Sequence, residues 1–288
     1  MNRSQTRELL DRRGLHLRRE LGQNFLVDVP QAERLADLAG VQAGDHVLEV
    51  GTGLGALTRA LAARAARVVT LEIDSGVAAA LREEALLPEG VELHHVDALE
   101  ADLAGLLGDV PREHAKVVAN LPYSAATPLL RVLLDQREVF ASWSVMVQRE
   151  VGERLAAQPG ERDYSSFAVL HALTARVDVV AELPAEVFFP APKVVSSFLR
   201  VTPNRETDLS NAELRAVERV TRAAFGQRRK TLANALRGGG FGAAALPAIE
   251  AVGIDPRARA ETLAPDLFRQ LAAQLLPVSP APSPEPED

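Results

Sequence analysis

The tetrapeptide Asn120-Leu121-Pro122-Tyr123 carries the groups that a site for a flat, weakly nucleophilic amine needs. It follows the mostly apolar run 116–119, which predicts a buried strand, so it lies at the carboxyl end of that strand. Pro122 fixes its own φ and favours an extended Leu121, which directs the neighbouring backbone carbonyls. Asn120 adds a side-chain amide, and Tyr123 adds a ring on which a planar base can stack. The segment indicates a pocket for the exocyclic amine of a nucleobase, with a simple proline turn as the alternative.

A glycine-rich turn, Gly51-x-Gly53-x-Gly55, separates a short apolar strand from a helix. Glycines at alternate positions allow the backbone to turn sharply and to approach a ligand closely. The spacing differs from the Gly-x-Gly-x-x-Gly of dinucleotide-binding enzymes, which argues against a nicotinamide dehydrogenase. Glu49, two residues before the first glycine, suits a cationic ligand better than a pyrophosphate. The turn is therefore predicted to bind a positively charged nucleoside cofactor through Glu49, Gly51 and Gly53.

Acidic residues stand at the ends of the next two predicted strands. The run 67–74 contains Glu72 about 20 residues after the glycine turn, where doubly wound folds place the carboxylate that binds ribose hydroxyls. The run 91–98 contains Asp97, which is positioned to accept a hydrogen bond from an adenine amine. Either acid alone is common at a strand end or a helix cap. Both together, after a glycine turn, predict a nucleoside site.

Strands and helices alternate before the linker 202–207, and this alternation predicts a parallel α/β sheet with ligands along its carboxyl edge. An N-terminal arm that buries Phe25 and Leu26 is expected to lead into a helix over 31–39. After the linker the pattern becomes helical, with helices predicted at 211–225, 228–237, 243–252 and 264–276. We therefore predict a Rossmann-like domain over residues 1–202, a small all-helical domain over 208–276 and a disordered, proline-rich tail over 277–288.

Two adjacent aromatic residues, Phe188 and Phe189, precede a pair of prolines. Pro190 and Pro192 stiffen the chain into an extended loop that holds the rings in place. One ring is expected in the core, and the other completes a clamp around a base that Tyr123 already faces. The residues alone do not decide which ring stacks on the base.

The net charge of −7 conceals a segregation of basic residues. Residues 1–24 contain six arginines against three acids, and residues 215–237 contain six arginines and one lysine against one acid. Such clusters are typical of surfaces that bind a polyanion. The segment 225–231 is either a solvated helix start or a grip on phosphates. Its candidate contacts are Gln227, Arg228, Arg229 and Lys230.

Several classes of site are excluded. The chain has no cysteine, which excludes disulfides and thiolate metal sites. His94 and His95 are adjacent on a predicted strand and face opposite sides, and the other histidines show no ligand spacing, so no metal is expected. The N-terminus lacks an apolar leader, and no apolar run reaches the roughly 18 residues of a membrane span. We expect a cytoplasmic monomer.

Together the motifs resemble the ribosomal RNA adenine N6-dimethyltransferase family, in particular its bacterial small-subunit members. The resemblance runs in order up to about residue 276. The segments that carry it are Leu21-Gly22-Gln23-Asn24-Phe25-Leu26, Glu49-Val50-Gly51-Thr52-Gly53-Leu54-Gly55, Glu72-Ile73-Asp74, Asp97-Ala98, Asn120-Leu121-Pro122-Tyr123, Phe188-x-Pro190-x-Pro192-x-Val194-x-Ser196 and Gln227-Arg228-Arg229-Lys230-Thr231.

The resemblance implies a class I methyltransferase domain that binds S-adenosylmethionine. In this family the cofactor is contacted from the positions that match Asn24, Leu26, Gly51, Glu72, Asp97 and Asn120. The implied substrate is two adjacent adenosines in a hairpin near the 3′ end of 16S ribosomal RNA in the small subunit, each dimethylated on N6. An additional role as a checkpoint of ribosome biogenesis is expected. Phe188 matches the aromatic residue of the family motif, and Phe189 doubles it.

Two other functions are compatible with parts of the pattern. The related enzymes that dimethylate an adenosine of large-subunit 23S ribosomal RNA share every cofactor motif, but the segment 227–231 and the length of the helical domain favour the small-subunit enzymes. A non-catalytic RNA-binding assembly factor is disfavoured by the intact segment 120–123.

Overall fold

The computed structural model describes residues 1–15, 23–207 and 209–277. The chain divides into two compact units, the first formed by Met1–Glu153 with Ala175–Pro203 and the second by Arg154–Thr174 with the residues from Asn204 onward. This division differs from the single boundary expected after residue 202, because the segment 154–174 belongs to the helical unit. Of the tail predicted to be disordered, residues 278–288 lie outside the described residues.

The first unit contains all the strands of the described residues. They are β1 (Phe25–Leu26), β2 (His46–Val50), β3 (Arg67–Glu72), β4 (Glu92–His95), β5 (Ala115–Asn120), β6 (Ser142–Gln148), β7 (Ala175–Leu183), β8 (Phe188–Phe189) and β9 (Ser196–Pro203). Seven of them form one sheet in the order β4-β3-β2-β5-β6-β9-β7. The first five run parallel, and β9 pairs antiparallel with both β6 and β7. The predicted α/β fold with a parallel sheet is confirmed.

Register aligns the carboxyl ends of the three central strands. Val50 of β2 lies opposite Leu71 of β3 on one side and Ala119 of β5 on the other. The strands β2, β3 and β5 are buried along nearly their whole length, as is usual in a parallel sheet. The glycine turn, Glu72 and Asn120 therefore leave the sheet at the same edge.

The helices of the first unit are α1 (Arg3–Arg12), α2 (Val29–Leu38), α3 (Ala56–Ala62), α4 (Ser75–Glu83), α5 (Leu103–Leu107) and α6 (Ala126–Asp135), and α7 (Arg149–Ala156) runs on into the second unit. α2 begins two residues before its predicted start because the Asp28 side chain accepts a hydrogen bond from the Gln31 N–H and caps the helix. Asp74 caps α4 in the same way through the N–H groups of Gly76 and Val77.

A small second sheet ties the N-terminal arm to the loop after β7. Phe25 pairs with Phe189 and Leu26 pairs with Phe188 in antiparallel register. Arg3 of α1 donates to the backbone carbonyls of Glu186 and Phe188 at 2.7 and 2.8 Å. The arm is therefore fixed at two places to the same loop.

The second unit consists of α8 (Ser166–Thr174), α9 (Asn211–Phe225), α10 (Leu232–Leu236), α11 (Ala245–Ala251) and α12 (Pro265–Leu275). The segment 154–174 joins it through buried polar and aromatic contacts. The Tyr164 hydroxyl donates to the Leu263 carbonyl at 3.0 Å, and its ring meets Phe225 edge-on at 5.6 Å. Ser166 and Thr221 share a hydroxyl hydrogen bond of 2.6 Å. None of these long-range partners is visible in the local pattern, which explains the misplaced boundary.

The segment between α9 and α10 differs from the prediction. The predicted helix over 228–237 is wrong at its start, because residues 226–230 form a turn in which the Lys230 N–H donates to the Gln227 carbonyl. α10 begins only after Thr231, and the chain continues from it into an irregular turn at Arg237–Phe241.

No helix of the described residues is both long and apolar enough to cross a membrane.

Candidate functional site

A cleft lies at the sheet edge where the ends of β2, β3 and β5 meet. Its walls come from the arm, the glycine turn, the end of β3 and the tetrapeptide after β5. The lining residues are Gln23, Asn24, Phe25, Gly51, Gly53, Glu72, Ile73, Asn120, Leu121, Pro122 and Tyr123. Eight of these residues, from four separate segments, are predicted site residues.

The glycine turn is folded tightly against its neighbours. Gly51 has a φ of +84°, and a Cβ added there would lie 3.2 Å from the backbone carbonyl oxygen of Asn120. Gly53 has a φ of +54°, and a Cβ there would lie 3.0 Å from the ring of Phe25. The N–H groups of Gly51 and Thr52 both donate to the Leu71 carbonyl. The turn thus needs glycine both for its conformation and for its close contacts.

Glu72 is buried at the end of β3, and its carboxylate holds the two loops that flank it. Oε2 accepts from the Gly53 N–H at 2.9 Å, and Oε1 accepts from the Asp74 N–H at 2.9 Å. Burial raises the pKa of Glu72, although these two N–H groups act in the opposite direction. A carboxylate in this position can accept hydrogen bonds from ligand hydroxyls while it supports the glycine turn.

Glu49 does not line the cleft, contrary to the expectation from its position before the glycines. The side chain is fully buried, and its Oε2 accepts hydrogen bonds of 2.6 Å from the hydroxyls of Thr58 and Thr70. Thr70 is bonded in turn to Thr52 of the glycine turn at 2.7 Å. Burial raises the pKa of Glu49 to about 8. Glu49 therefore stabilises the glycine turn through Thr70 and Thr52, and its side chain does not reach the cleft in which a cofactor would bind.

Asn120 is oriented by the N-terminal arm. Its Nδ2 donates to the Asn24 carbonyl at 3.0 Å, so the acceptor Oδ1 is directed away from this contact. The backbone after it is also fixed, because the Leu121 N–H donates to the Met146 carbonyl at 3.2 Å. The Pro122 carbonyl accepts from the Ala125 N–H at 2.9 Å, which leaves the Leu121 carbonyl as the adjacent backbone acceptor. Asn120 Oδ1 and the Leu121 carbonyl are therefore the candidate acceptors among these lining residues.

Tyr123 presents a half-buried ring to the cleft. Its hydroxyl forms a 2.6 Å hydrogen bond with the hydroxyl of Ser196, a fully buried residue of β9. Burial raises the pKa of the Tyr123 phenol, with the Ser196 bond acting in the opposite direction. The ring is therefore held at its far end, while its face remains available to a planar group.

Phe188 does not reach the cleft, and this contradicts the predicted stacking role. The ring is fully buried in the core with Leu26, Val187 and Phe198. Phe189 points to the opposite side of the strand, where the guanidinium groups of Arg3 and Arg7 lie 5.8 and 5.6 Å from its ring centroid. Neither ring lines the cleft, and the aromatic residues that do are Phe25 and Tyr123.

The other predicted cofactor residues have separate positions. Asn24 lines the cleft beside Asn120. Leu26 is buried in the core, and it is not a lining residue. Asp97 follows β4, the strand beyond β3, and accepts from the Leu99 N–H at 2.9 Å, so it lies at the same sheet edge without lining the cleft.

Three lining residues were missed as site residues: Gln23, Phe25 and Ile73. Ile73 is 44% exposed although it lies between two buried acids, Glu72 and Asp74. An exposed isoleucine at a strand end is the signal that could have identified it, since an apolar side chain there can cover the face of a planar ligand. Gln23 donates to Asp74 at 3.0 Å, a contact across 51 residues that no local pattern predicts.

The basic segment lies in the second unit. Gln227 is partly buried, whereas Arg228, Arg229 and Lys230 are exposed. Arg228 donates to the backbone carbonyl of Arg162 at 2.6 Å, and the turn presents the other two cations to solvent. Within the described residues no group of histidine and acidic side chains is arranged to hold a metal ion.

The arrangement in the cleft is rich in acceptors and offers an aromatic face. It combines a carboxylate, a carboxamide oxygen and a backbone carbonyl with the rings of Phe25 and Tyr123. Such a site can bind a nucleoside through its hydroxyls and can hold an amine through its N–H groups. No histidine or lysine lines it among the described residues.

Comparisons with known proteins agree with this geometry. A family model described as Ribosomal RNA adenine dimethylase matches residues 14–275. Proteins named Ribosomal RNA small subunit methyltransferase A are similar over almost their whole length. The one from Geobacillus thermodenitrificans is 38% identical over 95% of this chain and 96% of its own, and the one from Moorella thermoacetica is 42% identical over 94% and 96%.

Solved structures share the fold. A dimethyladenosine transferase from Plasmodium falciparum superposes with a TM-score of 0.71 at 24% identity, covering 86% of this chain and 95% of its own. The 23S rRNA methyltransferase ErmE superposes with a TM-score of 0.63 at 26% identity, covering 88% and 99%. The predicted Rossmann-like methyltransferase fold is confirmed.

Proposed function

The chain belongs to the ribosomal RNA adenine dimethylase family, and from this membership we propose that it methylates the RNA of the small ribosomal subunit. It is an S-adenosylmethionine-dependent methyltransferase. The bases that it modifies are two adjacent adenosines in the 3′-terminal hairpin of 16S ribosomal RNA, and each receives two methyl groups on N6. The observation that carries the proposal is the pair of acceptors, Asn120 Oδ1 and the Leu121 carbonyl, at the cleft where the strands end.

The cleft fits S-adenosylmethionine. Glu72 is a buried carboxylate that lines it and can accept hydrogen bonds from ribose hydroxyls, and Ile73 offers an apolar surface next to it. Gly51 and Gly53 leave space that a Cβ would fill. Asn24 and Asp97 are further contacts in this proposal. When bound, S-adenosylmethionine supplies an electrophilic methyl group.

The chain's contribution to the reaction is alignment of the amine. The exocyclic nitrogen of adenine is a poor nucleophile because its lone pair is delocalised into the ring. Hydrogen bonds from this amine to Asn120 Oδ1 and to the Leu121 carbonyl draw the nitrogen toward tetrahedral geometry and turn its lone pair out of the ring plane. Both acceptors are held before the substrate arrives, by Asn24 and by Met146, so the enzyme does not have to reorganise during the reaction.

Positive charge accumulates on the nitrogen as the methyl group is transferred. The two oxygens stabilise this charge, and the released proton passes to water, so no side-chain base is required. The adenine must first leave its stack in the RNA, which costs a few kcal/mol. Stacking on Tyr123 offsets about 1–3 kcal/mol of this cost.

The remaining parts of the proposal concern the partner. The turn with Gln227, Arg228, Arg229 and Lys230 contacts RNA phosphates. Arg228 also donates to a backbone carbonyl, whereas Arg229 and Lys230 face the solvent. The enzyme acts as a cytoplasmic monomer without a metal and serves as a checkpoint in small-subunit assembly. The 23S-directed enzymes are the second candidate, since ErmE has the same fold. The names of the similar sequences favour the small subunit.

The test is transfer of labelled methyl groups from S-adenosylmethionine to unmethylated small subunits and, in parallel, to large subunits. The products are digested to nucleosides and identified by mass spectrometry. We expect dimethyladenosine in the small-subunit reaction alone. Label in the large subunit alone would assign the protein to the 23S-directed enzymes, and no label in either would favour a non-catalytic assembly factor.

The Asn120→Ala variant tests the mechanism in the same assay. It should lose turnover while it retains some cofactor affinity in calorimetry, because Asn120 is proposed to act mainly on the amine and to contact the cofactor as well. The matched control is Asn234→Ala, which removes an exposed asparagine of α10 in the other unit. Normal dimethylation by the Asn120 variant would refute the role of its side chain.

A further inference from the structure

A histidine side chain joins the ends of two neighbouring strands at the sheet edge that holds the cleft. His95 is the last residue of β4 and lies opposite Glu72, the last residue of β3. Its Nε2 lies 3.2 Å from the backbone carbonyl oxygen of Ile73, 22 residues earlier in the chain. A carbonyl oxygen can only accept, so Nε2 is the donor of this hydrogen bond. The His95 side chain therefore holds the backbone of a residue that lines the cleft.

The peptide group between Ile73 and Asp74 is held on both of its sides. His95 donates to its carbonyl oxygen, and Oε1 of Glu72 accepts from its N–H at 2.9 Å. Because a peptide group is planar, these two bonds together fix its rotation. The Ile73 side chain is 44% exposed, so packing alone does not hold it. Its position in the cleft therefore depends on the backbone that His95 and Glu72 fix.

The same strand ends are joined one residue further along. The Val96 N–H donates to the Glu72 carbonyl at 3.2 Å. This bond and the one from His95 set the position of residues 95–97 relative to residues 72–73. Glu72 is the candidate contact for the ribose of the cofactor, and Asp97 is the candidate contact for its adenine. His95 thus lies between two proposed contacts of the nucleoside, although it does not line the cleft itself.

The neighbouring histidine on β4 has no such role. His94 lies opposite Leu71, and successive side chains of a strand point to opposite faces of the sheet. His94 is partly buried, whereas His95 is exposed. Replacement of His95 therefore leaves no cavity in the core, and it removes the hydrogen bond to Ile73.

We propose that His95 is a positioning residue for the nucleoside half of S-adenosylmethionine, and that it acts through the backbone of Ile73. This inference rests on the proposed function, which places the cofactor in the cleft. His95 contacts neither the methyl group nor the target adenosine in this proposal. It therefore contributes to the binding of the cofactor and not to the transfer step.

Three variants isolate the hydrogen bond. His95→Ala removes the donor, and His95→Gln retains an N–H donor at about the distance of Nε2 along the side chain. The matched control is His94→Ala, which makes the same change one residue away on the other face of β4. Circular dichroism melting checks that each variant is folded.

Calorimetry with S-adenosylmethionine measures the effect on binding. His95→Ala should weaken the affinity about 2- to 12-fold, the range expected for one hydrogen bond of ordinary net strength. His95→Gln and His94→Ala should both stay close to the wild type. Unchanged affinity of His95→Ala would overturn the proposal. An equal loss in His95→Gln or in His94→Ala would overturn it as well, because the loss would then not depend on the donor at position 95.

Steady-state kinetics of methyl transfer separate positioning from chemistry. His95→Ala should raise KM for S-adenosylmethionine by about the factor found in calorimetry, and kcat should be unchanged. A fall in kcat at unchanged KM would overturn the assignment to cofactor binding. The compound 5′-methylthioadenosine contains the nucleoside of the cofactor and lacks its amino acid. Its affinity should fall by the same factor in His95→Ala, and an unchanged affinity would overturn the assignment to the nucleoside half.

A double-mutant cycle with Ile73→Ala tests the route of the effect. If His95 acts through Ile73, the loss of affinity in the double variant should be smaller than the product of the two single losses. Losses that simply multiply would overturn this route. The Glu72→Ala variant distinguishes the inference from the proposed function on which it rests. Normal cofactor affinity of Glu72→Ala would overturn both, whereas a weakened Glu72→Ala together with a normal His95→Ala would overturn the inference alone.

Discussion

Replacing Glu49 by glutamine should remove a pH-dependent component from the stability of the sheet unit. Glu49 is fully buried, and burial is the main reason that its pKa rises from 4.5 to about 8. The hydroxyls of Thr58 and Thr70 and the charge of Arg59 act in the opposite direction, and the negative charge of Glu72 adds to the rise. Glutamine keeps the shape of the side chain and one acceptor oxygen, and it cannot ionise.

The magnitude follows from the two pKa values. One pKa unit corresponds to about 1.4 kcal/mol, so the rise corresponds to about 5 kcal/mol of stability between the limits of low and high pH. The folded protein binds this proton more tightly than the unfolded chain. The contribution of Glu49 is therefore fully present below pH 4.5, and it is lost progressively as the pH rises to about 8.

Urea unfolding from pH 5 to 9 measures this loss. Trp143, the single tryptophan, is fully buried in β6, so its fluorescence reports on the sheet unit. The free energy of unfolding of the wild type minus that of Glu49→Gln should fall by about 1.4 kcal/mol per pH unit up to about pH 8 and then level off. Subtraction cancels most of the pH dependence from other groups.

The matched control is Glu89→Gln, which replaces an exposed carboxylate in the turn after α4. Its difference from the wild type should be small at every pH. Parallel curves for the wild type and Glu49→Gln would refute the reasoning, because they would mean that Glu49 ionises equally easily in the folded and unfolded chains. If the free energy of unfolding of the wild type minus that of Glu49→Gln rose with pH, the predicted direction of the effect would be wrong.

Three further substitutions test the geometry of the first unit. Gly51→Ala should lower cofactor affinity in calorimetry, because φ is +84° and the left-handed conformation costs an alanine about 1–2 kcal/mol. Tyr123→Phe should lower the free energy of unfolding by about 1–3 kcal/mol, since it leaves the buried Ser196 hydroxyl without its 2.6 Å partner. Lys116→Met should cost about 3–5 kcal/mol in the same urea assay, because it leaves Asp45, 2% exposed, without the cation that now donates to it at 2.6 Å.

The sequence was informative where function depends on backbone position. Apolar runs located the central strands, and the residues after them were placed correctly at one sheet edge because parallel strands present their carboxyl ends together. The glycines at 51 and 53 predict a turn that needs unusual backbone conformations, and both have positive φ. These signals are local, since each depends on a few neighbouring residues.

The sequence was uninformative where a side chain's direction depends on distant partners. Phe188 and Phe189 face opposite sides of a short strand, so one of the rings had to be buried, but the choice depends on pairing with β1, more than 160 residues away. Glu49 lies on β2, and only the hydroxyls on β3 and α3 show that its carboxylate points beneath the glycine turn. The domain boundary failed for the same reason, because Tyr164 and Ser166 find their partners in the helical unit.

The chemistry proposed for the cleft depends on residues that the backbone positions, and these are the residues that a sequence can indicate. A general base is an ionisable side chain, and such a side chain can point in several directions. Alignment of an amine needs acceptor oxygens in fixed positions instead. Here one acceptor is a backbone carbonyl next to Pro122, and the other is a short side chain directly at the end of β5. Both are placed by the pairing of β5 with β6 and by the hydrogen bond from Leu121 to Met146. A site built in this way is specified mainly by strand register, which a short local segment can indicate.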